Sequence, residues 1–341
     1  MQTSRGFIVC FRGLFSCTPT VSCYHVLVNL LVTGAAGFIG SHFVLRHVAQ
    51  HPQDSVVVLD ALTYAADISF LDPVIDRITF VEGDVADAEL VAKLTEKHGI
   101  EVIVNFAAET HVDRSIQNAS PFLHSNVMGV QSLIDVCKAH PAVLLLHIST
   151  DEVYGERKDG EPPCGVSDPL RPGNPYAASK AAGDLMLLAA ARTFGIRVRI
   201  TRCTNNYGPH QDATKLLPVV IGKAFADAKI PIYGEGKQKR DWLFVTDHAD
   251  AVECVLSRGT DGQVYLISAD DERSNLETAK AVLDALGKPH SLIEFVPDRP
   301  GHDWRYALDS SGTRAIGWRP TVSFEQGLQR AIGWYADRRS V

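Results

Sequence analysis

The chain has 341 residues, 45% apolar and 21% charged, with a formal net charge of −7. That length buries a large core, and that charge argues against nucleic acid or an anionic membrane as the main partner. No apolar run approaches the ~20 residues of a membrane span. The seven Cys are odd in number and lack C-x-x-C, which reads as free thiols in a reducing, cytoplasmic setting. No ligand spacing is read among the Cys and the thirteen His, so no metal site is expected.

Residues 1–27 do not match the rest of the chain. They hold Cys10, Cys17 and Cys23, Arg5 and Arg12, several Ser and Thr, and no Asp or Glu. That bias suits a transit peptide, and equally an extension with no role. From residue 29 a strand, a Gly-rich turn and a helix alternate. Strands are expected at 29–33, 55–59, 78–81, 101–106, 143–148 and 197–201. Helices are expected at 38–50, with Phe38, Val44, Leu45 and Val48 inward, and at 87–98, 121–139 and 176–194. Apolar runs between amphipathic helices imply an α/β fold, a Rossmann doubly wound parallel sheet over residues 28–203. Beyond Cys203, Pro and Gly rise, and residues 204–341 read as a smaller, irregular C-terminal substrate domain. Strands near 242–267 are expected to return to the sheet, and 324–334 to close the chain as a helix.

The residues with chemistry stand at strand ends, where ligands bind in such folds. Gly34-Ala35-Ala36-Gly37-Phe38-Ile39-Gly40 is G-x-x-G-x-x-G between a strand and a helix. Its Gly residues allow a tight turn and close approach of a pyrophosphate to the helix N-terminus. Asp60 ends the next strand and suits the adenosine ribose hydroxyls. Ala61-Leu62-Thr63 brings no cation, so NAD is expected rather than NADP. Tyr176 and Lys180 stand four apart, on one face of a helix. A nearby ammonium and a nicotinamide's positive charge would favour the phenolate, allowing Tyr176 to act as a base. Asp151-Glu152 adds an acid and a base that simple oxidation does not need, and so points to an elimination. Adjacent carboxylates on a strand face opposite sides, but at a strand end both could reach one pocket.

The Gly pattern with Tyr176 and Lys180 resembles the short-chain dehydrogenase/reductase superfamily, in its extended, nucleotide-sugar branch. Ser149-Thr150-Asp151-Glu152-Val153-Tyr154-Gly155 resembles the signature of the dTDP-glucose 4,6-dehydratases. So do Ala107-Ala108-Glu109-Thr110-His111-Val112-Asp113-Arg114-Ser115, Asn205-Asn206-Tyr207-Gly208-Pro209, Arg240-Asp241-Trp242 and Asp298-Arg299-Pro300-Gly301-His302-Asp303. The resemblance spans residues 29 to about 335. The chain departs from the family in a short loop between Gly155 and Tyr176, in Ala61 where Lys is usual, and in Ala66-Asp67 for Gly-Asn.

The resemblance implies C4 oxidation of a glucose nucleotide by Tyr176 and NAD, with Thr150 holding the oxygen and Lys180 the nicotinamide ribose. Glu152 would take the C5 proton and Asp151 protonate the leaving 6-hydroxyl, before reduction at C6. Asp151 must then be protonated, so a raised pKa is expected. Leu62, Thr63, Asp84, Val85, Ala107, Ala108 and Asn206 join the turn and Asp60 as cofactor contacts. Thr110, His111, Asn205, Lys215, Leu216, Pro231, Tyr233, Arg240, Asn275, Asp298, Arg299 and His302 are expected around the substrate. A homodimer through helices 121–139 and 176–194 is implied as well. Open alternatives are a 4,6-dehydratase of a UDP-, CDP- or GDP-hexose, a UDP-sugar 4-epimerase or decarboxylase, and a non-catalytic NAD-binding protein.

Overall fold

The computed structural model describes residues 27–298 and 303–338. Residues 1–26 of the expected extension, and Arg299 and His302 of the expected substrate contacts, lie outside the described residues. The first half lays down β1 (Asn29–Thr33), α1 (Phe38–Gln50), β2 (Ser55–Asp60), β3 (Ile78–Glu82), α2 (Ala88–His98) and β4 (Val102–Asn105). Then come α3 (Val112–Gln117), α4 (Ser120–Leu123), α5 (Gly129–Ala139), β5 (Leu144–Thr150), α6 (Pro175–Phe194) and β6 (Arg197–Cys203). The remainder is β7 (Asn205–Tyr207), α7 (Leu216–Phe225), β8 (Ile230–Tyr233), β9 (Lys239–Phe244), α8 (Val245–Arg258) and β10 (Val264–Ile267). After it come β11 (Glu272–Ser274), α9 (Asn275–Ala285), β12 (Ile293–Val296), α10 (Ser311–Ala315) and α11 (Phe324–Asp337). No helix of the described residues is long and apolar enough to cross a membrane.

The central sheet has seven strands in the order β10-β6-β5-β4-β1-β2-β3, all parallel. Its reversal of direction at β1 and β4 is the doubly wound switch point, which opens a crevice at the strands' carboxyl ends. The registers place Val57, Leu31, Ile103, Leu145 and Val198 side by side. Because strand side chains alternate, this row packs on one face with Val91, Leu94, Leu133 and Leu187 of α2, α5 and α6. The neighbours Leu30, Val32, Val58 and Leu146 fall on the other face, with Phe43 and Val44 of α1 and Val252 of α8. Both faces are therefore covered, as the unbroken apolar strands require. Tyr207, Leu217, Trp242, Phe244 and Phe324 centre a separate core in the C-terminal half.

Three local expectations are corrected. The buried face of α1 carries Phe43, Val44, His47 and Val48, while Phe38 and Leu45 are half-buried. Positions 43/47 and 44/48 share a stripe at helical spacing, and 45 lies about 100° off it. The helix expected at 121–139 is α4 and α5 joined by a π turn, His124–Met128. The wider turn lets buried Asn126 bond the backbone N–H and C=O of Glu109, each at 3.0 Å, and the Ser179 hydroxyl at 2.8 Å. Finally, the strand at Trp242 does not join the large sheet. Both edges of β9 are taken, by β7 and β11, and it is β10 that pairs with β6.

Gly34 adopts φ +69°, and a Cβ there would lie 2.5 Å from the Ala107 backbone nitrogen. Gly34→Ala is therefore strained twice, by conformation and by contact with the β4 loop. We expect it to lower the thermal midpoint by more than about 2 °C, as differential scanning calorimetry would record.

Candidate active site

The turn after β1 is built for an anion. Gly37 caps α1 without a side chain, so no side chain bonds the helix's first amides, and the macrodipole adds positive potential there. A Cβ at Gly40 would meet the Gly34 carbonyl oxygen at 2.4 Å, so only Gly lets the turn fold this tightly. Asp60 is buried, with one carboxylate oxygen accepting from Ala36 N–H and the other from Leu62 N–H, both at 2.9 Å. Burial raises its pKa and these two amides lower it. Each oxygen keeps a lone pair for a hydroxyl. Asp60 thus shapes the turn as well as presenting a carboxylate beside it. Leu62, at φ +50°, completes that arrangement from outside the cavity.

A cavity of about 450 Å³ runs from this turn to Tyr176 and Glu152. Gly34, Gly37, Phe38, Ile39, Gly40, Asp60, Thr63, Asp84, Val85, Ala107, Ala108 and Asn206 all line it. Asp84 stands at its wall, accepting from Ala86 N–H at 2.8 Å and paired with His124 at 2.7 Å. The side-chain oxygens of Asn205, Asn206 and Gln211 are buried in this lining without a hydrogen-bond partner. Such atoms suit a polar ligand, because leaving them unmet is costly. The Gly cradle, Asp60 and these amides fit an adenine dinucleotide.

The reacting groups meet at the far end. β5 stops at Thr150, and a 3₁₀ turn, Asp151–Tyr154, begins with the Thr150 hydroxyl accepting from Glu152 N–H at 3.3 Å. Gly155, at φ +74°, ends it under the Arg171 carbonyl. The turn takes both carboxylates off the alternating strand, and both line the cavity. Asn174 caps α6 through Ala177 N–H at 2.9 Å, while its amide donates to Glu152 Oε2 at 3.3 Å. One side chain therefore sets the start of the Tyr-Lys helix against the second carboxylate.

Electrostatics separate the roles. Asp151 is 3% exposed, and its Oδ2 has no partner. Burial first, and the Glu152 charge second, push it well above the ordinary carboxylate range, so it holds a proton. Burial also raises Glu152, but Asn174, Arg240 and Lys215 pull it back. Burial and Glu152 lift Tyr176 well above an ordinary phenol, while the Thr150 hydroxyl pulls the other way. Burial lowers Lys180 to about 8. The ammonium expected to lower Tyr176 instead donates to Ile148 C=O at 2.8 Å and lies 3.4 Å from His147.

His147 was not anticipated. It links Lys180 to Asn105 Nδ2 at 2.9 Å, and Asn105 accepts from the Thr33 hydroxyl at 2.6 Å. Burial keeps the ring neutral. Beneath it Asp184 accepts from Ser149 and Arg202, at 3.0 and 2.9 Å, and Arg202 also donates to the Tyr154 hydroxyl. A buried polar row thus crosses β1, β4, β5 and β6 under the reacting groups. The one signal that could have found it is the interruption of apolar runs at Asn105, Asn126, His147 and Asp184.

The expected substrate contacts fall into two sets. Thr110, Thr150, Asn205 and Lys215 line the cavity, and Lys215 donates to Thr110 C=O at 3.2 Å. His111, Leu216, Pro231, Tyr233, Arg240, Asn275 and Asp298 lie outside that lining. Arg240 is buried over the Tyr306 ring, 4.6 Å from its centroid, and donates to Asp303 C=O at 3.0 Å. It is close enough to lower both Asp151 and Glu152. Asp298 and Asn275 converge on Gln238, which donates to the Asp298 carboxylate at 2.8 Å and accepts from Asn275 N–H at 3.0 Å. Sequence reasoning missed Gln238, Tyr306, and the Arg114 guanidinium 3.6 Å over Tyr64 beside Glu109.

A family profile described as GDP-mannose 4,6 dehydratase matches residues 31–331. The low-salt glycan biosynthesis protein Agl12 of Haloferax volcanii is 47% identical over 310 residues, 90% of this chain and 98% of its own. The dTDP-glucose 4,6-dehydratase of Streptomyces niveus is 45% identical, covering 92% of this chain and 94% of its own. Among solved structures, the dTDP-glucose 4,6-dehydratase DesIV of Streptomyces venezuelae, with NAD and TYD bound, superposes with a TM-score of 0.88. It is 45% identical, with 92% and 98% of the two chains covered. The UDP-glucose 4-epimerase of Thermotoga maritima reaches a TM-score of 0.85 at 25% identity, over 92% and 100% of the chains.

A buried carboxyl whose folded pKa is raised stabilises the fold fully only below its unfolded value, and loses that stability as pH rises through the folded pKa. For Asp151 that window runs upward from about pH 4. Asp151→Asn removes the penalty. Its thermal midpoint is expected to exceed the parent's by a margin that is larger at pH 8 than at pH 5, as paired melts would show.

Proposed function

The chain belongs to the GDP-mannose 4,6 dehydratase family, and we propose that it converts dTDP-glucose to dTDP-4-keto-6-deoxyglucose with NAD. The observation that carries this reading is Asp151 beside Glu152, a protonated carboxyl and a lower-lying one, in the same cavity as Tyr176 and Lys180. An epimerase fold superposes almost as well, so the fold alone does not choose the reaction. The carboxylate pair does, because loss of water needs an acid and a base besides Tyr176, whereas 4-epimerisation does not.

Residues 28–203 with β10 would form the cofactor half, and residues 204–341 mainly the nucleotide-sugar half. Gly34, Gly37 and Gly40 would hold the pyrophosphate, Asp60 the adenosine ribose, and Lys180 the nicotinamide ribose. Bound there, NAD supplies the hydride acceptor and donor and a positive charge beside Tyr176. Tyr176 takes the proton of the sugar 4-hydroxyl, with Thr150 donating to the same oxygen. The resulting ketone acidifies the C5 proton, which Glu152 removes. Asp151 gives its proton to the departing 6-hydroxyl, and the C5–C6 bond becomes double as water leaves. Reduction at C6 and return of the Glu152 proton to C5 complete the product. Arg240 favours charge on both carboxylates, while the Asn174 amide and Lys215 act on Glu152 alone and keep it the more acidic of the two.

Ile116, Leu123, Met128, Leu185 and Phe194 leave large apolar side chains exposed on α3, the α4–α5 helix and α6. A second copy covering these helices, in a cytoplasmic homodimer, belongs to the same reading, and light scattering after gel filtration tests it. A second reading keeps the chemistry and changes the nucleotide. It rests on the family profile's GDP-mannose description.

Purified protein incubated separately with dTDP-glucose, UDP-glucose and GDP-mannose is expected to form an alkali-absorbing 4-ketosugar fastest from dTDP-glucose. Absence of ketosugar from all three would reject the dehydratase reading. Faster turnover of another nucleotide would reject only the base. Asp151→Asn and Glu152→Gln are each expected to keep bound NAD and to slow turnover by about 10²-fold or more.

A further inference from the structure

The expectation of no metal ligands overlooks one pair: His47 and His51 stand four apart at the end of α1. Helical spacing puts them on one face, with ring centroids 4.7 Å apart. Glu253 of α8 comes to the same point. Its carboxylate lies 2.6 Å from His47 Nδ1 and 3.8 Å from His51 Nε2. One ligand atom from each of the three residues lies within 4.8 Å of the others. None of the three lines the catalytic cavity.

We propose that His47, His51 and Glu253 form a structural site for a divalent transition-metal cation, Zn²⁺ by chemistry, clamping α1 to α8. Two imidazoles and a carboxylate with one open position make a familiar zinc donor set. A carboxylate for outer support stands close by. His47 is 3% exposed, and its Nε2, which has no hydrogen-bond partner, lies 3.3 Å from an Asp54 carboxylate oxygen. That is where a metal-bound histidine keeps a carboxylate, which fixes the ring and strengthens the ligand. The side chain of Asp54 is itself 2% exposed.

Tetrahedral zinc needs ligand atoms about 3.3 Å apart. His47 Nδ1 and Glu253 share a hydrogen bond at 2.6 Å, so a metal would displace the proton between them and open the pair to that spacing. His51, 27% exposed at the helix end, would close on the metal from its present 3.8 Å from Glu253, with a water as the fourth ligand. A cation here also meets the negative end of the α1 dipole. The Arg46–Asp250 ion pair joins the same two helices nearby, so the clamp would reinforce a contact that the fold already makes. The helix it would fix is the one whose other end forms the Gly turn.

The test uses the full-length protein, stripped with a chelator and titrated with Zn²⁺ alone. Equilibrium dialysis with elemental analysis is expected to give about one tight Zn²⁺ per chain, and calorimetry a higher thermal midpoint with Zn²⁺ than without. His51→Ala, at a partly exposed position, and Glu253→Gln should each weaken binding by about tenfold or more and remove the thermal gain. Failure of the parent to bind Zn²⁺, or binding unchanged in both variants, would overturn the proposal. Neither readout involves catalysis, so the result stands apart from the dehydratase assay.

Discussion

Desolvation at the carboxyl edge of the sheet is the constraint that sets the site's chemistry. Asp151, Glu152, Tyr176 and Lys180 share one cavity, and burial is the largest influence on each. It drives every one of them toward its neutral form. A neutral Asp151 is an acid in waiting, and a neutral Tyr176 is a base only once something positive arrives. The site is therefore poised but idle until a cofactor and a substrate bring charge into it. The two carboxylates are told apart by small differences: an Asn174 amide and the field of Lys215 favour charge on Glu152 and are not felt by Asp151.

Holding such groups in a dry cavity requires polar support below it. Asn105, His147, Asp184 and Arg202 provide it, each buried and each bonded to the next strand or helix. Asn126 and Asn174 do the same from the helices, tying the Glu109 loop to α6 and the start of α6 to Glu152. Buried polar rows of this kind cost stability when one member is lost, because its partners are left unmet. Their value lies in position: they hold the reacting groups to one register between strands whose apolar packing alone would tolerate sliding.

Much of this was legible from local pattern. The Gly turn, Asp60, Asp151-Glu152 and the Tyr176/Lys180 pair declare themselves by spacing along a strand end or a helix face. What was not legible depends on contacts between residues far apart in sequence. Ser179 meets Asn126, and Asp184 meets Ser149, only after the helices have docked. The π turn at Asn126 has no periodic signature, since it inserts a residue into an otherwise regular helix. The hydrogen bonds of Lys180 were not legible for the same reason. Four-residue spacing places it beside Tyr176, but His147 and Ile148 on β5 decide where its ammonium goes. The β9 strand looked like any other, and its pairing with β7 and β11 is fixed by chain topology rather than by its residues.

The edge strand β10 has a consequence for biosynthesis. It completes the sheet beside β6, yet residues 204–263, with β7, α7, β8, β9 and α8, lie between the two strands. As the chain leaves the ribosome, at ~5–20 residues per second, the edge of β6 stays bare for some seconds after the first six strands have emerged. A bare parallel edge is an invitation to pair with a neighbouring chain. Arg197, Arg199 and Arg202 stand along β6, and two of them bond Asp261, in the turn just ahead of β10. Charge on that strand guards the edge while it is open, and the same charge catches the segment that closes it.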